Sequence, residues 1–255
     1  MQVKSSSFLW AVPLVCCLAC SGGDDDDTPG GGADGDARRF VPEGLTLSEE
    51  NGEGGLTLVA LTLVQGASSA ELYAAIKNEG DAPACSPGMT IDFLDGSDQV
   101  VSSAGTSVQS AQFYRLDNGT GAAIPCIAPG EIGMTAATTL PASVVIADLG
   151  ALKYQFPAFG VPDIVAIDAF RVSGVRTVSV AGGSAYQGTF INQLAVGVTE
   201  AKVSLFPVNR VGRPLAVTSS SATTEVAPGG SWSFESSAVA DLGVGHVDFP
   251  TASIP

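Results

Sequence analysis

Two near-copies of one segment restrict what this chain can fold into. Residues 147–162 read ADLGALKYQFPAFGVP and residues 240–255 read ADLGVGHVDFPTASIP, so seven of sixteen aligned positions are identical without a gap. A match of this length at a wide spacing indicates a structural unit that has been duplicated. Each copy must then complete a hydrophobic core within its own part of the chain.

Two shorter matches occur in the same order along the chain. LYAAIKN, which ends at Asn78, corresponds to YQGTFIN, which ends at Asn192. IAPG, which begins at Ile127, corresponds to VAPG, which begins at Val226. Three collinear matches support a duplication of the whole unit.

The duplication predicts two domains, residues 45–162 and residues 163–255. Each has roughly 100 residues, which is enough for one hydrophobic core. The first domain is longer mainly because it contains an extra stretch at residues 108–125, which the second lacks.

Apolar residues in both units alternate with polar ones. Ile91 and Phe93 are separated by Asp92, and Trp232 and Phe234 are separated by Ser233. A period of two is typical of strands with one buried and one wet face. Turn signals separate these runs, at Asn78-Glu79-Gly80, Asp95-Gly96, Pro129-Gly130, Gly182-Gly183 and Pro228-Gly229. The sequence predicts an all-β fold: two tandem Ig-like antiparallel β-sandwiches after a disordered acidic linker.

The repeat units resemble a known family. In each, a strand ending in Asn is followed by an alternating strand with an aromatic residue, IDFLDG at 91–96 and VSLF at 203–206, and then by a Pro-Gly before a final core strand. This resembles the FxLYD-type domains, small Ig-like sandwiches found singly or in tandem on bacterial exported proteins. Leu94-Asp95 stands where that family usually has Tyr-Asp, and FPVN at 206–209 replaces the aspartate turn. The resemblance implies a fold and an exported setting, and no activity.

The N-terminal segment predicts export. Lys4 precedes an apolar run at residues 8–19, a pattern typical of a secretory signal peptide. The run is shorter than the roughly 20 residues that a membrane-spanning helix needs. CLAC, which ends at Cys20, resembles a bacterial lipobox, and this implies removal of residues 1–19 and a lipid anchor on Cys20. The residue after Cys20 is Ser21 and not Asp, which by analogy with well-studied bacteria favours the outer membrane. The alternative is secretion without lipid.

A low-complexity linker follows, at residues 20–44. Its Gly- and Asp-rich sequence cannot bury apolar surface, so we expect disorder. The four aspartates at 24–27 lack the spaced oxygens of a calcium loop. The net charge of −15 argues against nucleic acid as a partner, since phosphates would be repelled. An anionic lipid surface would also repel such an acidic protein, so membrane attachment must come from the lipid on Cys20.

The cysteines predict one disulfide. Cys16 and Cys17 would leave with the signal peptide, and Cys20 would carry lipid. Cys85 and Cys126 then remain as one pair in an oxidising compartment. The alternative is two buried free thiols.

The extra stretch at 108–125 is the best candidate for binding. It carries Phe113, Tyr114 and Arg115 together, and such residues are enriched at binding hot spots. A bridge through Cys126 would hold its end in place and reduce the entropy lost on binding. The alternative is structural cover, an extra strand or loop with Phe113 packed inward.

No motif in the sequence indicates catalysis. His246 is the only histidine, and a nucleophile system would have to use it. Lys153 matches it in the first copy of the repeat, which favours an exposed site without a catalytic role. Two cysteines and one distant histidine do not form a metal-ligand set. We expect no enzymatic activity, no metal and no cofactor.

These features together predict a non-catalytic lipoprotein of the bacterial cell envelope. We expect a binding or scaffolding module, with another envelope protein or a surface glycan as partner. The alternatives are a structural spacer and a carbohydrate-binding protein. The latter would need a flat row of exposed aromatics, which four Tyr and two Trp hardly supply.

Overall fold

Strands account for nearly all regular structure, which confirms the predicted all-β class. The computed structural model describes residues 38–40, 44–50, 55–66, 68–116, 123–135, 138–157, 163–210, 212–240 and 245–253. One short 3₁₀ turn, Ile146–Asp148, interrupts the strands there. Within these ranges, no helix has the length and apolar character needed to cross a membrane.

The strands fall into an earlier and a later group. The first half contains β1 (Arg38–Phe40), β2 (Thr46–Glu49), β3 (Leu56–Gln65), β4 (Ala70–Asn78), β5 (Ala84–Cys85), β6 (Gly88–Asp95), β7 (Val100–Gln109), β8 (Gln112–Leu116), β9 (Ile124–Ile127), β10 (Ile132–Thr135), β11 (Thr138–Leu140) and β12 (Leu149–Gln155). The second half contains β13 (Ile164–Ile167), β14 (Phe170–Val180), β15 (Gly183–Asn192), β16 (Thr199–Val208), β17 (Thr218–Ser221), β18 (Ser231–Glu235) and β19 (Gly245–Ser253).

The same order of strand pairing occurs in both halves. In the first half, β4 lies between β3 and β10, and β6 lies between β7 and β12. In the second, β15 lies between β14 and β18, and β16 lies between β17 and β19. All of these pairs are antiparallel. In the first half a further pairing of β10 with β7 joins the two groups into one nine-stranded sheet.

Asp95 and Asn209 close equivalent turns after β6 and β16. The Asp95 N–H donates to the carbonyl of Gln99 at 3.0 Å, and the Gln99 N–H donates back to the Asp95 carboxylate at 3.0 Å. Asn209 and Arg213 make the same two hydrogen bonds, each at 3.0 Å. Asn209 therefore replaces the aspartate, and the two turns align β6 with β16 residue by residue.

Each half has its own hydrophobic core, built from the alternating positions. In β6, Ile91 and Phe93 are buried in the first core while Asp92 points to the other face. In the second half, Phe190, Val203 and other residues form the second core. Burying each such side chain contributes about 1.5–3 kcal/mol. The first core lies entirely within residues 56–156. The second lies within residues 169–234, apart from Phe113.

A third cluster, the junction cluster, joins the two halves. Ala75 of β4 and Met134 of β10 pack there against Phe206 and Val208 of β16 and against Phe249 of β19. The rings of Phe206 and Phe249 meet edge to face, with centroids 5.5 Å apart. One outer sheet face of each half is therefore buried against the other half.

The domain limits stay predictions. Residues 1–19 and Cys20 lie outside the described ranges, as does most of the linker at 20–44. Its residues Arg38–Phe40 form β1 and pair antiparallel with β3. Across the predicted boundary at 162/163, β13 pairs with β8 of the first half. The halves thus share both packing and strand pairing.

Candidate functional site

The predicted disulfide between Cys85 and Cys126 is confirmed. The two residues are direct partners in the antiparallel pair of β5 and β9, and their sulfur atoms are 2.10 Å apart. In the chain-entropy model, a loop of this length stabilises the fold by about 4 kcal/mol. The bridge ties the end of the extra stretch to the body of the first half.

The three candidate binding residues at the centre of the extra stretch lie on β8. Phe113 is buried in the second core, edge to face against Phe170 with centroids 5.0 Å apart. Tyr114 is buried on the opposite face of the strand, in contact with the disulfide. Burial raises the pKa of the Tyr114 hydroxyl, and Glu131 raises it further. Arg115 alone is exposed.

The inward position of Phe113 is the arrangement expected of structural cover. β8 pairs with both β9 and β13, so the extra stretch is an integral part of a four-stranded sheet. Of the three residues, only Arg115 offers its side chain to a partner, and its role in binding stays a prediction. Burial of Phe113 and Tyr114 could not be read from their types, because hot-spot residues and core residues overlap.

The outer face of β7, β6 and β12 is open and polar. Asp92 lies between Ser103 and Lys153 as their direct cross-strand partner. The Ser103 hydroxyl donates to the Asp92 carboxylate, and Lys153 lies 3.7 Å from Glu50. A groove of about 290 Å³ runs across this row of side chains. We call the row of Ser103, Asp92 and Lys153 the first polar face.

The second half has an open polar face on β14, β15 and β18. Arg176, Gln187 and Glu235 are direct partners across the three strands. The Arg176 guanidinium donates to Gln187 Oε1 at 3.0 Å, and Gln187 Nε2 donates to Glu235 Oε2 at 2.6 Å. A groove of about 440 Å³, which also borders Thr189 and Ser233, follows this row. We call it the second polar face.

Sequence reasoning missed both polar faces. Each row is assembled from three strands that are far apart in the chain, and the pairing register that aligns them is not a local property. The only available signal was the outward position of each residue in its own strand. That signal marks a solvated face without identifying its neighbours.

The position of His246 differs from the expected exposed site. Phe93 of β6 and Pro207 of β16 are equivalent, because each lies two residues before the residue that begins the turn, Asp95 or Asn209. Phe93 pairs with Leu152, while Pro207 pairs with His246. His246 therefore corresponds to the buried Leu152, and the ungapped match to Lys153 is one residue out of register.

His246 is accordingly half-buried. Its side chain is 28% exposed and its ring lies against Tyr186, with centroids 5.1 Å apart. Its Nε2 is 4.0 Å from Asp248 Oδ2. Burial raises the pKa of the Asp248 carboxyl, and the attraction of His246 lowers it in part. No group of three or more His, Cys, Asp or Glu able to hold a metal ion occurs among the described residues.

Comparisons with known proteins assign no family. No protein-family model matches the sequence, and no curated protein is similar to it. Among solved structures, the crystal structure of red sea bream transglutaminase aligns with 76% of this chain and 27% of its own, at 13% identity and a TM-score of 0.21. A TM-score this low carries no argument about fold or activity.

Proposed function

We propose that this protein is a non-catalytic binding or scaffolding module of the bacterial cell envelope, anchored through lipid on Cys20. Its domains would be of FxLYD type, on the sequence resemblance described above. The observation that supports this proposal is that each half has one buried and one exposed outer sheet face. The junction cluster buries one outer face of each half, while the first and second polar faces stay open to solvent.

The polar faces suit recognition better than plain solvation. Each row combines hydrogen-bond donors and acceptors on a rigid sheet, which lowers the conformational entropy lost on binding. Their charges are mixed, so the partner is selected by hydrogen-bond geometry and not by net charge alone. Another envelope protein is the partner that such a face fits.

A photocrosslinking residue placed at Lys153 or at Arg176 tests this proposal on living cells. Both side chains border the open faces. We expect a reproducible adduct with one envelope component from at least one of these positions. The control position is Val196, which is exposed and lines neither groove. Adducts no stronger than those from Val196 would favour a structural spacer.

A surface glycan is the second candidate, favoured by the second polar face. Arg176, Gln187 and Glu235 present planar groups that can donate to and accept from sugar hydroxyls. The large exposed apolar residues of the described ranges include no aromatic, so stacking would not contribute there. Retention on immobilised cell-surface polysaccharide, lost in Gln187→Ala, would identify a glycan. If the original protein and Gln187→Ala are both retained, or neither is, the second polar face is excluded as a glycan-binding site.

A further inference from the structure

The outer edge of β12 in the first half is filled by a strand of the same chain. β2 runs parallel to β12 there, with Leu47 beside Leu152 and Glu49 beside Tyr154. The Glu50 N–H donates to the Tyr154 carbonyl at 2.7 Å. This edge of the first half is therefore closed by β2.

The corresponding edge in the second half has no paired strand among the residues that the structure describes. By order along the chain, β13 is the counterpart of β2, since each precedes the first long strand of its half. β13 pairs with β8 instead. β19 is consequently the last strand of its sheet, and no strand in the described ranges pairs with its outer edge.

The backbone of β19 directs its polar groups toward that edge. Its partners in β16 include Pro207 opposite His246, and its own Pro250 lies opposite Val203. Because proline has no N–H, both are non-hydrogen-bonded pairs of the antiparallel ladder. The N–H and carbonyl groups of His246 and Asp248 therefore point away from β16.

One hydrogen bond fixes this direction independently. The Pro207 carbonyl accepts from the Leu215 N–H at 2.9 Å, on the side of β16 away from β19. Asp248 also corresponds to Tyr154, whose carbonyl is bonded by Glu50 in the first half. The Asp248 carbonyl is thus the counterpart of an acceptor that β2 satisfies, and no backbone N–H in the described part of the chain bonds to it.

The edge has the length that a strand needs. Edge strands are commonly protected by proline, by lysine or other charged side chains, or by a bulge. In β19 the only proline is Pro250, and residues 245–249 before it carry no lysine and one charged residue, Asp248. β2 itself has four residues, so these five proline-free residues provide a site of sufficient length.

We propose that the outer edge of β19 binds an extended peptide of a partner protein, in parallel, with a basic side chain beside Asp248. Adding a strand to a sheet edge is a general mode of peptide recognition, in which backbone bonds supply affinity and side-chain positions supply specificity. By the arrangement of β2, an apolar residue of the peptide would lie beside His246 and its next-but-one residue beside Asp248. The net charge of −15 also attracts a basic peptide.

A peptide derived from this chain provides the probe. It has the sequence of residues 44–50, GLTLSEE, with the change Glu49→Lys, so that it keeps a strand already suited to such an edge and gains the basic group. Titration of the purified protein should shift the amide resonances of His246 and Asp248 and slow their hydrogen exchange. Those of Leu152 and Tyr154, whose edge β2 fills, should stay unchanged.

Two variants make the result specific. Asp248→Lys should weaken binding of the lysine peptide by at least about tenfold, which is about 1.4 kcal/mol. The unmodified GLTLSEE peptide should then bind that variant better than the original protein. His246→Pro removes an N–H directed to the edge and leaves the bonds to β16 in place, so binding should be lost from a folded protein.

Several results would overturn the proposal. These are binding without protection of His246 and Asp248, equal affinity for Asp248→Lys, or protection of both amides in the free protein because a second copy or the chain's own N-terminal segment occupies the edge. If His246→Pro does not fold, the charge exchange at Asp248 still decides. The site is separate from both polar faces, so its failure leaves the crosslinking test of the proposed function unaffected.

Discussion

Asn78 and Asn192 have three equivalent side-chain hydrogen bonds in the two halves of this protein. Asn78 Nδ2 donates to the carbonyl of Ile127 at 2.8 Å, and Asn192 Nδ2 donates to that of Val226 at 3.1 Å. Each also donates to the carbonyl four residues further along the chain, at 2.8 Å. Each side-chain oxygen accepts from the N–H two residues further along, at 3.0 Å. Both residues are fully buried.

This pair predicts a large loss of stability on removal of either amide. Asn192→Ala would remove the side-chain hydrogen bond to the buried Val226 carbonyl, which would keep only its bond from the Val198 N–H, and one such hydrogen bond contributes about 0.5–1.5 kcal/mol. With the other bonds lost as well, we expect a decrease of about 2–4 kcal/mol in the free energy of unfolding. Urea denaturation measures it, with the exposed neighbour Gln193→Ala as control. Equal curves for the two variants would contradict a structural role.

The disulfide should stabilise the fold through the unfolded state. Replacing both Cys85 and Cys126 by alanine should lower the free energy of unfolding by about 2–4 kcal/mol, because the open chain gains entropy. Adding reductant should lower the stability of the original protein and leave the double variant unchanged. If the original protein has the same free energy of unfolding with and without reductant, this would argue against an intact bridge.

The junction cluster should contribute as much as an ordinary core. Phe206 is fully buried, and truncating such a phenylalanine costs about 3–5 kcal/mol. Phe206→Ala should therefore destabilise the protein by that amount in thermal or urea unfolding. Val196→Ala, at an exposed valine, should change it by less than about 0.5 kcal/mol. A small effect of Phe206→Ala would mean that the halves do not depend on each other.

Asp248 should make stability fall as pH rises. Burial raises the pKa of its carboxyl in the folded state above the usual 3.8, so the folded protein holds this proton more tightly than the unfolded chain does. The contribution is fully present below pH 3.8 and is lost as pH rises through the raised pKa. Asp248→Asn should match the original protein at low pH and exceed it in stability at neutral pH, in urea denaturation at each pH.

The control for this prediction is Asp148→Asn, at an exposed aspartate. The free energy of unfolding of this variant should change with pH as that of the original protein does. If Asp248→Asn also shows the pH dependence of the original protein, His246 and solvent stabilise the Asp248 carboxylate more than its burial suggests.

The lipid anchor predicts a definite mass. Protein extracted from membranes should begin at Cys20 and carry acyl chains, which intact mass spectrometry measures. Two or more acyl chains hold a protein stably on a bilayer. Cys20→Ser should release the protein into the medium. An unmodified N-terminus on the original protein would leave plain secretion as the explanation.

Several elements could be predicted because their signals are local. The alternation around Phe93 and Phe234 indicates strands with one buried face, and both side chains are buried. Cys85 and Cys126 could be paired by elimination, since the other cysteines precede the linker. Asn78 and Asn192 could be matched because each ends the same kind of strand. Their shared role as buried donors needed the structure.

The match of Lys153 with His246 shows where sequence comparison stops. In the structure Leu152, and not Lys153, takes the position of His246, because Phe93 and Pro207 at equivalent places in β6 and β16 pair with Leu152 and His246. The ungapped alignment is therefore one residue out of register along β12 and β19. Because side chains alternate between faces, a slip of one moves a residue from the core to the solvent side.

The sequence by itself determined the all-β class and the disulfide, since the first depends on residue types at short spacing and the second on a count of cysteines. Only the tertiary structure decided that Phe113 packs inward, that Asp92 meets Lys153, and that β13 pairs with β8 and not with β19. Those choices depend on which distant strand becomes a neighbour and in which register. Both follow from the packing of the whole chain, because the free energy of a strand pair lies in the cross-strand contacts that it completes.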